Sequence, residues 1–190
     1  MLKFRVFENA EPAKHWSLRN AHLIGAVLPD EATRASRLAE ALVADGLDPV
    51  LPAPVHGDFY ENQLLVADGA LVGLLDVDTA GSGDRLDDLA CLLGHLSVLA
   101  GYGAERSTGR AWHLMEEYRK AFEVDVPPAE LYRRVAAVVL SLATGPYRVQ
   151  EHDWPVTTWD RLALAEAWWE RANRSAATRK TSSQKMREVS

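Results

Sequence analysis

The chain has 190 residues, with 21 Lys+Arg against 27 Asp+Glu and a formal charge of -6. Its 47% apolar and 25% charged residues are the balance of a globular protein, and the length suffices for one self-sustaining core. A single cysteine, Cys91, excludes a disulfide scaffold, and no apolar run approaches the roughly 20 residues of a membrane span. Met1-Leu2-Lys3-Phe4-Arg5 is not a signal peptide, and the acidic balance argues against a general nucleic-acid binder. These features predict a cytoplasmic protein with neither nucleic acid nor membrane as partner.

In chain order, Leu2 to Phe7 alternates as a short strand and ends at the Pro12 break. A helix is predicted from about Asp30, as N-cap, to Gly46, with Leu38, Ala39, Leu42 and Val43 as its apolar stripe. Three prolines between Pro49 and Pro54 forbid helix and predict an extended connector. Residues 64–66 and 71–75 are apolar runs around Ala67-Asp68-Gly69-Ala70, which predicts a β-hairpin turning on Asp-Gly. Thr79 to Gly83 reads as a loop. Asp84 then caps a helix carrying Leu86, Leu89, Ala90, Leu93 and Leu96 at helical spacing. Three further helices are predicted at 105–123, 129–143 and 157–174, separated by Pro127-Pro128 and Gly145-Pro146. Most of the six tryptophans fall in or near these helices and read as core packing.

The charge is unevenly placed. From Arg171 onward there are six basic residues and one acid, Glu188, so this end carries +5 and the rest of the chain -11. Rich in Ser, Thr and Ala, residues 175–190 are predicted to be a disordered basic tail after a single domain at 1–174. At the opposite extreme, residues 56–92 hold eight acids (Asp58, Glu61, Asp68, Asp76, Asp78, Asp84, Asp87 and Asp88) and one strong base, Arg85. Several of these sit in or beside apolar segments, where a carboxylate needs a partner. If Ala67 pairs with Ala70, Val66 faces Leu71, Leu64 faces Gly73 and Gln63 comes opposite Leu74, two residues before Asp76. Opposed residues in such a ladder lie about 5 Å apart and diagonal ones about 7–8 Å. Oxygens of Gln63 and Asp76 can therefore converge on one hard cation, best matched by Mg²⁺. Just upstream, Asp58 in Val55-His56-Gly57-Asp58 is placed to accept a proton from a hydroxyl.

The motif His56-Gly57-Asp58, Gln63 seven residues after the His, Leu75-Asp76-Val77-Asp78, Ala80-Gly81-Ser82-Gly83-Asp84 and Asp88-Leu89-Ala90 occur in order. Together they resemble the catalytic core of the aminoglycoside phosphotransferase family. The resemblance implies a protein-kinase-like fold, here a mainly α C-terminal lobe with a small β-hairpin (α+β). It further implies ATP-dependent transfer of a phosphoryl group to a hydroxyl of a small molecule, with Mg²⁺. By the same resemblance Asp58 takes the catalytic position and Asp76 that of the metal-binding Asp. Residue 63 falls where the family usually carries a metal-binding Asn, and His56 positions the loop. Gln63 is favoured as ligand over the neighbouring Asn62.

The 55 residues before His56 contain two glycines, Gly25 and Gly46, and two lysines, Lys3 and Lys14, and no glycine-rich turn. The nucleotide-binding lobe of the family is thus expected to be missing, or supplied as a separate N-terminal lobe. The alternative is a gene fragment or a non-catalytic kinase-like binding module. Other readings of the acidic run are a calcium loop using Asp76, Asp78, Gly81, Asp84 and Asp87, a nucleotide-sugar transferase using Asp76-Val77-Asp78, and a structural acidic loop. Cys91 reads as a buried inert thiol. His15, His22, His95, His113 and His152 read as ordinary histidines. Glu116, Glu117, Glu123, Glu151 and Asp153 are candidate partners for a cationic substrate, or a solvated face.

Overall fold

A computed structural model of the chain describes residues 13–45, 51–101 and 105–188. The predicted strand at 2–7 and the residues Gly46 and Tyr102-Gly103 lie outside them. Two helices come first, α1 (Ala13–Val27) and α2 (Ala32–Ala44), joined through a 3₁₀ turn at Pro29–Glu31. Asp30 lies in that turn. The N-cap of α2 is Glu31, without a side-chain cap bond, so the predicted cap is displaced by one residue. Ile24, Leu38 and Leu42 seal the pair.

The Pro-rich connector is a strand as well as a spacer. β1 (Pro52–Val55) pairs antiparallel with β4 (Gly81–Asp84), in register from Pro52 opposite Asp84 to Val55 opposite Gly81. The sequence predicted a loop at residues 79–83 because Gly-Ser-Gly lacks strand propensity. A two-stranded edge ladder tolerates both its glycines and the prolines opposite them. Between these strands, β2 (Leu64–Ala67) and β3 (Ala70–Leu74) form the predicted hairpin. Asp68 and Gly69, at φ +52° and +76°, make its turn, the combination that a tight two-residue hairpin requires. Ala67 opposes Ala70 and Val66 opposes Leu71 as expected. An irregularity between Leu65 and Val66 then sets Leu65 opposite Gly73 and Leu64 opposite Leu74, one step off the uninterrupted ladder.

The helices α3 (Arg85–Gly101), α4 (Glu105–Phe122), α5 (Pro128–Leu142), the short α6 (Gly145–Arg148) and α7 (Trp154–Glu188) complete the fold. It is mainly helical, with two small antiparallel ladders. The core lies among α3, α5 and α7, where Leu86, Leu93, Leu96, Leu131, Val139 and Leu162 are fully or almost fully buried. Gly94 lets α3 and α5 touch, because a Cβ there would stand 2.6 Å from Val138 Cγ1. Trp168 belongs to this core and donates from Nε1 to Ser97 Oγ at 3.2 Å. Trp112 and Trp159 instead stand about half exposed, so the expectation of core packing fails for them. The backbone of α7 continues as helix to Glu188, across the residues whose composition suggested disorder. No Gly or Pro occurs in residues 175–188 to end it.

A buried ion pair ties α5 to the end of β4 where α3 begins. The Arg134 guanidinium, 2% exposed, donates to Asp84 Oδ2 at 3.0 Å and to Asp87 Oδ1 at 3.1 Å. The other Asp84 oxygen accepts from the Leu86 amide at 2.9 Å, so the predicted helix cap is present and is itself pinned. Removing one side of such a pair strands a buried charge, at a cost of about 3–5 kcal/mol. Arg134→Ala should lower unfolding stability by that amount in a urea titration. Arg134→Lys, which keeps the charge without the planar fork, should recover only part of it.

Candidate active site

The loop after β1 carries His56, Gly57 and Asp58, and α3 fixes it from below. Asp88, on the first turn of α3, accepts from the His56 amide at 2.7 Å with Oδ2 and from the Gly57 amide at 2.9 Å with Oδ1. Both are charge-assisted bonds to an ionised acceptor. Thr79 Oγ1 donates to the His56 carbonyl at 2.8 Å from the opposite side. Gly57 has φ +85°, and a Cβ on it would stand 2.9 Å from the Thr79 carbonyl oxygen, so glycine is required here on two counts.

The His56 ring is buried, with Nε2 2.8 Å from the Leu75 carbonyl. Leu75 in turn donates its amide to the Gln63 carbonyl at 2.8 Å. The histidine thus ties the Asp58 loop to the hairpin end that presents Asp76. Gln63 is 6% exposed, and its side-chain Nε2 donates to Asp76 Oδ2 at 3.5 Å, whereas Asn62 is exposed. The sequence expectation that residues 63 and 76 converge therefore holds despite the shifted register. Asp76, exposed and at φ +50°, closes the gap by adopting the left-handed conformation that Asp tolerates. With the Gln63 amide turned to present its oxygen beside the Asp76 carboxylate, the pair offers oxygen donors of the kind that suit Mg²⁺.

Asp58 is half-buried, and the Cys91 thiol donates to its Oδ1 at 3.8 Å. Burial and then the Asp58 charge push the Cys91 thiol far above its ordinary pKa. The Tyr60 ring stacks on His95 at 4.1 Å. Burial, followed by the Asp58 charge, raises the Tyr60 phenol, and burial lowers the His95 imidazole. Sequence reasoning treated Cys91 and His95 separately. Their four-residue spacing on one helix was the signal that joins them.

Other acids have structural partners. Asp84 and Asp87 are bound to Arg134, which deprives the calcium-loop reading of two ligands. Glu116 pairs with Arg119 and Arg171, Glu117 with Lys120, and Glu123 with Arg119 and Tyr132, so these positions do not form a face awaiting a cationic substrate. A cleft of about 740 Å³ between α3, α4 and α7, lined by Trp112, Trp168 and Arg171 among others, does not include Asp58, Gln63 or Asp76.

Residues 5–123 match the family model described as "Phosphotransferase enzyme family". The chain belongs to this family, the aminoglycoside phosphotransferases. An aminoglycoside 3'-phosphotransferase of Escherichia coli is 50% identical over 46 residues, which cover 23% of this chain and 17% of that relative. No solved structure matches the chain. Among the described residues, no helix is long and apolar enough to cross a membrane.

The grip of Asp88 on the loop makes a local prediction. Asp88→Ala leaves two amides without their acceptor, which should cost about 1–3 kcal/mol at the buried His56 and less at the exposed Gly57. Hydrogen exchange at the His56 and Gly57 amides should accelerate roughly tenfold or more while exchange in α5 is little changed. Unchanged protection at both amides would refute the clamp.

Proposed function

We propose that this chain is the catalytic lobe of a protein-kinase-like, ATP-dependent phosphotransferase acting on a hydroxyl of a small molecule. The observation that carries this reading is the fixed Asp58 loop, tied through His56 to the hairpin end where Gln63 meets Asp76. Asp58 accepts the proton of the substrate hydroxyl. That oxygen then forms a bond to the γ-phosphorus, and the bond from the γ-phosphorus to its bridging oxygen breaks, leaving ADP. His56 and Asp88 hold Asp58 at its post and do not react. Gln63 and Asp76 are the residues to hold Mg²⁺, which neutralises charge on the phosphate oxygens when bound. Dependence on ATP and a lone thiol suit a cytoplasmic protein.

The hairpin supports a second component. Leu65, Val66, Leu71, Val72, Leu74 and Leu75 are all at least 43% exposed, an apolar surface that an isolated domain rarely leaves uncovered. A nucleotide-binding lobe packs there and brings the phosphate-covering turn. Without it, phosphates are not positioned, and positioning supplies most of the rate in this chemistry. The second reading is a non-catalytic kinase-like module.

ATP consumption across a panel of hydroxyl compounds separates the two. The 190-residue chain alone should give no turnover, and joined to a nucleotide-binding lobe from its genomic neighbourhood it should phosphorylate a member of the panel. Asp58→Asn should then lower kcat by about 10²–10⁴-fold. Full activity in Asp58→Asn would overturn the assignment of the base, and persistent inactivity of the joined protein would favour the module.

A further inference from the structure

Asp58 has neighbours for which phosphoryl transfer has no use. Cys91 and His95 lie four residues apart on α3, so one helical turn sets them on the same face. That face meets the loop after β1. One donor atom from each of Asp58, Cys91 and His95 lies within 4.8 Å of the other two, and all three side chains are half-buried. Stacking on Tyr60, with ring planes 22° apart, holds the imidazole in place. Close by, Glu61 has Oε2 buried without a hydrogen-bond partner, and its charge acts on both Cys91 and His95.

We propose that Asp58, Cys91 and His95 form a binding site for a zinc-like transition-metal ion, with Glu61 or water as fourth donor. The donor set decides the ion. A thiolate, an imidazole and a carboxylate select Zn²⁺ or Co²⁺ and are foreign to Mg²⁺, which the all-oxygen pair Gln63 and Asp76 suits instead. Tetrahedral bonds of about 2.0–2.3 Å place donor atoms about 3.3–3.8 Å apart. The observed cluster reaches that size by closing about one ångström. Coordination releases the thiol proton to solvent, as a thiol bound to zinc is deprotonated. The consequence rests on the reading of Asp58 as the base: an ion bound there occupies the carboxylate that would accept the substrate proton, so Zn²⁺ inhibits phosphoryl transfer while Mg²⁺ supports it.

Metal binding can be read without ATP, which keeps its failure distinct from a failure of the phosphotransferase reading. The untagged chain is titrated with Co²⁺ and then with Zn²⁺ as competitor. Cys91 is the one cysteine in the sequence, so a thiolate-to-cobalt charge-transfer band in the near ultraviolet can come only from it. The expected result is that band together with the strong visible absorption of a tetrahedral site, both removed by stoichiometric Zn²⁺. His95→Ala and the loop variant Asp58→Asn should each weaken Zn²⁺ binding by about tenfold or more. Thermal melts confirm that both variants are folded. A cobalt spectrum without a charge-transfer band overturns the site, as does a Zn²⁺ affinity left unchanged by either substitution.

Discussion

The carboxylate of Asp88 holds the site together. By accepting from two successive amides, those of His56 and Gly57, it fixes the loop of Asp58 to the first turn of α3. That turn is a rigid base because Asp84 caps it and Arg134 reaches across from α5 to bind Asp84 and Asp87. A loop residue placed this way inherits the rigidity of the helical core, which is what the proposed base needs to meet a hydroxyl in one geometry.

The same arrangement divides the labour among the acids of residues 56–92. Asp84 is buried, and its charge is balanced by an equally buried guanidinium. Asp88 is half-buried and faces backbone amides. Asp58 is half-buried and Asp76 exposed, in two different loops linked through His56, Leu75 and Gln63. Their partners, a guanidinium for Asp84 and backbone amides for Asp88, separate these carboxylates from Asp58 and Asp76, a distinction that spacing alone does not make.

Much of this was legible in the sequence because the signals were local. Asp68-Gly69 specifies a tight hairpin turn, Asp84 ahead of an apolar stripe specifies a capped helix, and Pro128 opens α5 as a first-turn proline can. What escaped depends on contacts distant in sequence. The β1–β4 ladder joins residues about thirty apart through prolines and glycines, which carry no strand propensity. The irregularity at Leu65 and Val66 shifts the register by one, yet the Leu75–Gln63 backbone bond and the left-handed Asp76 still deliver both side chains to one place. Motif and spacing nominated Asp58, Gln63 and Asp76, and the structure brings Gln63 and Asp76 together. The clamp by Asp88 was hidden in a motif read as sequence alone, and the convergence of Cys91 and His95 on Asp58 needed the loop and α3 to be seen together.

The central claim is that the hairpin end unites Gln63 and Asp76 into a hard-cation site beside Asp58. Binding of paramagnetic Mn²⁺, followed by line broadening in the NMR spectrum of the labelled chain, tests it most directly. The account predicts broadening centred on Gln63, Leu75 and Asp76, abolished by Asp76→Ala and weakened more by Gln63→Ala than by Asn62→Ala. Broadening that persists unchanged in Asp76→Ala would contradict it.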